Sequence, residues 1–224
     1  MSTLLEIKNL SAGYSWDTPV LQDIELSIES GEVLGVIGTN GSGKSTLAKT
    51  LVGRVPFRSG SITFGGVSLI DIPESCLAKM GISYMEQGGV VFGSLSVEEN
   101  LKLAAGKRKI QSIFTPSYFQ EKRRVRADRL SGGERHMLAL SMALASNPKL
   151  LILDEPCAGL SPNASEAFYS LLKQLMTTRS LAILLIEHNV ARAVELSSRI
   201  ALVTEGRINL LPADMETIKH LYIL

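Results

Sequence analysis

The run Gly38-Thr39-Asn40-Gly41-Ser42-Gly43-Lys44-Ser45 has the residue types and spacing needed to grip a chain of phosphates. Glycines let backbone N–H groups turn inward around the anion, and a helix starting behind them points its positive end at the same charge. Lys44 can reach the β- and γ-phosphates, Ser45 offers a hydroxyl to Mg2+, and Thr46 can donate to the α-phosphate. Charge-assisted hydrogen bonds contribute about 1.5–3 kcal/mol each, so loss of Lys44 predicts crippled binding or turnover. A second element, Leu150-Leu151-Ile152-Leu153-Asp154-Glu155, ends an apolar run in two carboxylates. Asp154 suits Mg2+; Glu155 suits orienting and deprotonating an attacking water, a role worth roughly 10²- to 10⁴-fold. The plain alternatives are a glycine turn and an acidic pair capping the next helix, and their joint occurrence favours phosphate chemistry.

A third cluster is Leu130-Ser131-Gly132-Gly133-Glu134. Ser131 and Glu134 make a capping box, which accounts for two of its members. The glycines weaken a helix start by up to about 1 kcal/mol each. Bare N–H groups at a positive helix end would explain that expense, because they form a second phosphate site.

These residues need elements to hold them. Residues 4–10 and 20–28 alternate polar and apolar, predicting an antiparallel β layer that stops at Ser30-Gly31. Residues 33–37 read as a buried strand running into the phosphate loop, and 44–53 have helical content. Two more buried strands are predicted at 150–153 and 181–186, with a helix over 163–177 between them. Ser161 is its N-cap and Pro162 its first position. Strand, crossover helix, strand implies a parallel sheet, whose ligands sit at the carboxyl ends of the strands. Gln87 follows a short strand at 82–85, and His188 follows 181–186. A hairpin around Glu205-Gly206 joins 199–204 to 207–210, and 214–222 form a closing helix.

Strand signals vanish between 93 and 147. There Ser96-Val97-Glu98-Glu99 opens a capped helix through Ala105, a basic stretch follows, and an apolar helix spans 133–145. The reading is an α/β core at 1–88 and 147–210, a helical subdomain at 89–146 and a tail at 211–224.

With 224 residues, 45% hydrophobic and 20% charged, the chain can bury a substantial core and is not a disordered one. A net charge of +1 argues against nucleic acid as a partner. Cys76 and Cys157 form no C-x-x-C, so neither a disulfide framework nor a zinc module is expected, and a reducing cytosol is the natural home. Apolar runs such as 181–186 are too short to cross a bilayer, and residues 1–10 lack the pattern of a secretory signal. Work at a membrane then requires another chain to supply the span.

The order of phosphate loop, Gln87, LSGGE, Asp154-Glu155 and His188 resembles the ATP-binding subunit of an ABC transporter, over essentially the whole chain. The resemblance implies a P-loop NTPase of the ABC type, with a parallel-sheet core, an N-terminal antiparallel layer and a helical signature subdomain. It further implies ATP and Mg2+, with two such domains paired head to tail. Each ATP would lie between the phosphate loop of one domain and Ser131, Gly132 and Gly133 of the other. Tyr14 would stack on adenine, a contact worth about 1–3 kcal/mol. Gln87 would link Mg2+ and water to the transmembrane contact, and His188 would meet the γ-phosphate. The plain alternatives are a surface tyrosine, a loop glutamine and a structural histidine. Ser161 stands where the family commonly has aspartate, so an ionic contact across the dimer is in doubt there. Cys157 reads as a small buried residue.

Within the family, Val97-Glu98-Glu99-Asn100-Leu101, the segment 131–145, Gly159-Leu160-Ser161-Pro162 and the tail 216–222 are similar to the smaller ATPase of branched-chain amino acid importers. Urea importers share these features. The implied partners are transmembrane permease subunits, a second ATPase in a hetero- or homodimer, and indirectly a substrate-binding protein. The implied location is peripheral, on the cytoplasmic face of the membrane. The basic residues Lys107-Arg108-Lys109, Lys122-Arg123-Arg124, Arg126 and Arg129 read as a solvated face, with contact to a membrane subunit or anionic headgroups as the alternative. Soluble ABC-type ATPases of repair or translation are the rival class, but the chain has no sustained heptads and only one phosphate loop.

Overall fold

The computed structural model describes all residues except 1, 16, 56, 109–114, 179 and 223–224, so Lys109 of the basic stretch lies outside the described residues. Strands β1 (Thr3–Gly13) and β2 (Leu21–Glu29) pair antiparallel, with Ile7 opposite Leu26 and Leu10 opposite Ile24. Their alternation puts Leu5, Ile7, Leu10, Ile24 and Leu26 on a buried face, as period-two patterning requires. The wholly buried β3 (Val33–Gly38) leads through the phosphate loop into α1 (Lys44–Leu51). Then come β4 (Phe57–Phe64), β5 (Val67–Ser68), α2 (Glu74–Met80) and β6 (Ile82–Met85).

Two helices follow, α3 (Val97–Ala105) and α4 (Gly132–Leu144), both opened by the capping boxes expected at Ser96 and Ser131. The remainder alternates: β7 (Leu150–Asp154), α5 (Pro162–Thr178), β8 (Ala182–Ile186), α6 (Val190–Leu196), the hairpin β9 (Arg199–Thr204) and β10 (Arg207–Pro212), and α7 (Met215–Tyr222). Between residues 93 and 147, the described residues hold only an isolated bridge, Ser96 to Arg126, and no strand.

One sheet has four strands in the order β2-β1-β4-β5, and the other has six in the order β10-β9-β3-β8-β7-β6. In the larger sheet β9, β3, β8, β7 and β6 run parallel, and only the edge β10 is antiparallel. Both faces of that sheet are covered, which is why its central strands read as continuous apolar runs. On one face Leu34, Val36, Ile152 and Leu184 meet α1 and the smaller sheet. On the other, Leu151, Leu153, Ile183 and Leu185 meet α3, α4 and α5 around the fully buried Phe168. Burying each such aliphatic or aromatic side chain contributes about 1.5–3 kcal/mol. The parallel register sets Val36 opposite Ile186 and Asp154 opposite Ile186 on the other side of β8. The carboxyl ends of β3, β7 and β8 are thereby level.

Among the described residues, strands β4 and β5, helices α2 and α6 and two single-turn 3-10 helices at Ser117–Phe119 and Ala127–Arg129 are absent from the sequence reading. Strand β4 carries Gly60 and serines that break the apolar alternation, and it forms because β1 offers a paired edge. Helices α2 and α6 are only seven residues each, too short to show periodicity.

Candidate functional site

Gly38 closes β3 with φ +156°, and a Cβ there would lie 2.4 Å from the Val203 carbonyl oxygen, so the loop turns where no side chain fits. At the other end of the loop Gly43 is the N-cap of α1 and supplies no capping side chain. The first N–H groups of α1 are therefore left for an anion. The Lys44 ammonium folds back over the loop and donates to the carbonyls of Gly38 and Thr39, at 2.9 Å each. Burial pulls its pKa below the ordinary lysine range, against the attraction of Glu155 and Asp154.

Ser45, at the next position of α1, donates its hydroxyl to Asp154 Oδ1 at 3.0 Å. The other Asp154 oxygen accepts from the Tyr84 hydroxyl at 3.1 Å. Burial raises the Asp154 pKa, and these two hydrogen bonds oppose the rise. Tyr84 was not singled out from sequence; its only signal is its place on β6, beside β7 in register with Ile152.

Glu155 follows with φ +47°, in the left-handed region that costs a non-glycine residue about 1–3 kcal/mol. Its N–H still donates to Ile186 at 3.0 Å, while the turn swings the side chain off the strand. Glu155 Oε1 lies 2.6 Å from His188 Nε2, and Oε2 accepts from Gln87 Nε2 at 2.8 Å. Three loops, after β6, β7 and β8, thus meet at one carboxylate. Asn40, Gly41, Gly43, Lys44, Ser45, Thr46, Gln87, Glu155 and His188 line a single open cavity of about 320 Å³.

The structure does not bring every sequence-predicted residue into that cavity. Tyr14 sits just past β1 and is 56% exposed. Ser131, Gly132 and Gly133 open α4 and are not among the cavity's lining residues. Their capping box is complete: Glu134 N–H donates to Ser131 Oγ at 3.3 Å, and Ser131 N–H to Glu134 Oε2 at 2.9 Å. Lys122 of the basic stretch also pairs with Glu134, so at least one of those cations braces the start of α4. Burial pushes the Glu134 pKa up, but the bonds from Lys122 and Ser131 hold it below the ordinary carboxylate value.

The two glycines differ. A Cβ on Gly133 would stand 3.0 Å from Ala164 Cβ on α5, so close packing explains its lack of a side chain. A Cβ on Gly132 would meet only Leu160, at 3.9 Å, an ordinary contact. Among the described residues no contact requires glycine at 132. Beyond α4, Ser161 accepts a long hydrogen bond, 3.4 Å, from Ala164 N–H at the start of α5. Burial raises the Cys157 thiol to about 12, which makes it a poor nucleophile.

The family described as "ABC transporter" matches residues 21–158. The probable branched-chain amino acid transport ATP-binding protein LivF of Archaeoglobus fulgidus is 37% identical, covering 97% of this chain and 95% of the relative. The lipopolysaccharide export system ATP-binding protein LptB of Escherichia coli is 32% identical, covering 91% and 88%. Among solved structures, the ATP-binding subunit of an ABC transporter superposes with a TM-score of 0.82 at 29% identity, covering 99% of this chain and 94% of that one.

Proposed function

The chain belongs to the ABC transporter family of ATPases, and from that premise we propose that it powers an importer of branched-chain amino acids. The observation that carries the hydrolytic part is the shared cavity: the phosphate loop, Lys44, Gln87, Glu155 and His188 line it together at the carboxyl ends of parallel strands. ATP lays its phosphates along residues 38–46, where loop N–H groups and the start of α1 receive them. Lys44 exchanges its two carbonyl partners for phosphate oxygens. Tyr14, exposed just past β1, takes the adenine in this reading.

Glu155 takes the proton of the attacking water, and His188 meets the γ-phosphate. Both Glu155 oxygens are engaged, by His188 and by Gln87, which holds the carboxylate in place while each oxygen keeps a lone pair for a water. Glu155 is thereby restrained until ATP recruits His188 or a partner shifts Gln87. The hydroxyl of Ser45 and the carboxylate of Asp154, already in contact, are the hard oxygen ligands that Mg2+ prefers, with Gln87 beside them. When bound, the ion neutralises charge on the phosphates.

Gly132 supports a composite site. Since its own chain leaves room for a side chain there, the open N–H groups at the head of α4 are for a ligand held by a second protomer, homologous or identical. ATP then joins two protomers, and hydrolysis parts them. Among the described residues no helix is long and apolar enough to cross a membrane, so the span comes from permease subunits. Their seat is the groove of about 300 Å³ beside Gln87, lined by Tyr84, Met85, Val90, Ala104 and Met142, where Val90 is 66% exposed. In this reading 1–88 and 147–210 form the core, 89–146 the helical subdomain and 211–224 the tail, on the cytoplasmic face.

Import of branched-chain amino acids rests on the likeness to LivF and on the segments named above. The likeness to LptB favours a second reading, export of a lipid-linked polymer. Deleting the gene and measuring uptake of labelled leucine tests the choice. Lost leucine uptake, restored by the wild-type gene but not by Glu155→Gln, is the expected result. Intact leucine and urea uptake together with a defective cell envelope would hand the case to the export reading.

A further inference from the structure

Immediately before His188 lies Glu187, a second carboxylate that the hydrolytic scheme leaves idle. It is 6% exposed, so its burial needs a reason. Its main-chain N–H donates to the Val36 carbonyl at 3.1 Å, on the strand that feeds the phosphate loop. Its Oε1 accepts from the Tyr169 hydroxyl of α5 at 2.6 Å. The N–H groups of His188 and Asn189 donate to the same carboxylate, and Glu155 lies within its field. Tyr169, itself 4% exposed, is packed edge-on against Phe168 and covered by the Arg192 guanidinium at 5.3 Å from its ring. The Cys157 thiol, in the loop that leaves Glu155, neighbours the Tyr169 hydroxyl.

A polar chain therefore runs behind the site, from Tyr169 through Glu187 to the backbone of His188 and Asn189, with Cys157 beside its Tyr169 end. It ties α5, the helix that follows the Glu155 loop, to the loop carrying His188, whose side chain meets Glu155 at 2.6 Å. Most of its members are buried and all are satisfied within the chain, which is how a polar network rigidifies its surroundings. We propose that Glu187, held by Tyr169, is a positioning residue that sets the His188 loop against Glu155, a role that rests on the hydrolytic reading above. Neither residue touches nucleotide or water in this role; they act through His188.

Steady-state ATPase kinetics of the full chain tests this, with Glu187→Ala, Glu187→Gln, Tyr169→Phe and Glu155→Gln assayed beside the wild type. Misplacing a catalytic group by an ångström costs about 10²-fold, so Glu187→Ala should lower kcat about 10- to 100-fold while KM for ATP stays within about twofold. Glu187→Gln should keep kcat within about threefold, because its amide oxygen can accept the two N–H groups and its NH2 can meet the Tyr169 oxygen. Wild-type kcat in Glu187→Ala with a dead Glu155→Gln would overturn the positioning role and leave the hydrolytic assignment standing. Undiminished turnover in Glu155→Gln would overturn the assignment itself. A Gln variant as slow as the Ala variant also counts against positioning by hydrogen bonds. If Glu187→Ala does not fold, Tyr169→Phe decides: about a threefold or greater loss of kcat at unchanged KM supports the role, and wild-type kcat refutes it.

Discussion

Glu155 and Glu187 are two carboxylates placed under opposite constraints. Glu155 is turned by a left-handed backbone into a cavity and gripped by His188 and Gln87. Glu187 faces inward, where burial pushes its pKa up from the ordinary 4.5 to about 7. Between those two values the native chain holds a proton that the unfolded chain has released. Stability is therefore greatest in acid and declines as pH rises through that window, levelling off above it. Glu187→Gln cannot ionise, so its melting temperature should gain on the wild type from pH 5 to about pH 7 and hold that gain at pH 8; a constant difference across that range would contradict the assignment.

At this scale the sequence exposed the groups whose partners are near in the chain: the loop at 38–46, and carboxylates placed at a strand end. It did not expose Tyr84, Tyr169 or Glu187. Their roles come from contacts across 70 and 18 residues, made by strand pairing and helix docking. Local pattern alone marks none of the three, since Tyr84 sits in a short strand, Tyr169 in a helix and Glu187 just past the end of β8.

Among the elements, α4 is the one whose start is under two demands. Its capping box, braced by Lys122, serves folding, and so does Gly133 through its approach to Ala164. Gly132 serves neither. Gly132→Ala should fold with unchanged or slightly raised stability, by at most about 1 kcal/mol, yet lose ATPase activity. Gly133→Ala should lose about 1–3 kcal/mol, because the added methyl overpacks the contact with α5. Thermal melts and turnover on the same preparations separate the two, and a fully active Gly132→Ala would remove the second phosphate site. Long buried strands and capped helices were legible because burial on both faces leaves an uninterrupted apolar run and capping leaves a local signature. The polar strand β4 and the seven-residue α2 and α6 were not, since neighbours rather than their own patterns hold them.

For the whole molecule, the parallel sheet gathers the chemistry at the carboxyl ends of its strands, while the head of α4 does not line that cavity. A site divided between protomers predicts complementation. Lys44→Ala and Gly132→Asp should each be inactive alone, and mixing them should restore turnover, since a mixed dimer carries one intact site. Activity no greater than the sum of the separate proteins would mean that each chain works alone. The two-layer α/β plan followed from the strand–helix–strand order, and the helical block from the missing strand signals. Which faces of that plan meet other proteins is not written in periodicity, because a surface awaiting a partner looks like any other surface.

The phosphate loop is walled by residues that come very late in the chain. Gly206 N–H donates to the Ser42 carbonyl at 3.2 Å, and the Val203 carbonyl is the atom that excludes a side chain at Gly38. Contacts this distant in sequence form only after their loop-closure entropy has been met. On the ribosome, then, a stretch made in the first fifth of translation waits for nearly the last fifth before it is a finished receptacle. A nascent chain halted before the β9–β10 hairpin emerges should be blind to nucleotide, which binding of a labelled ATP analogue to stalled chains would read out.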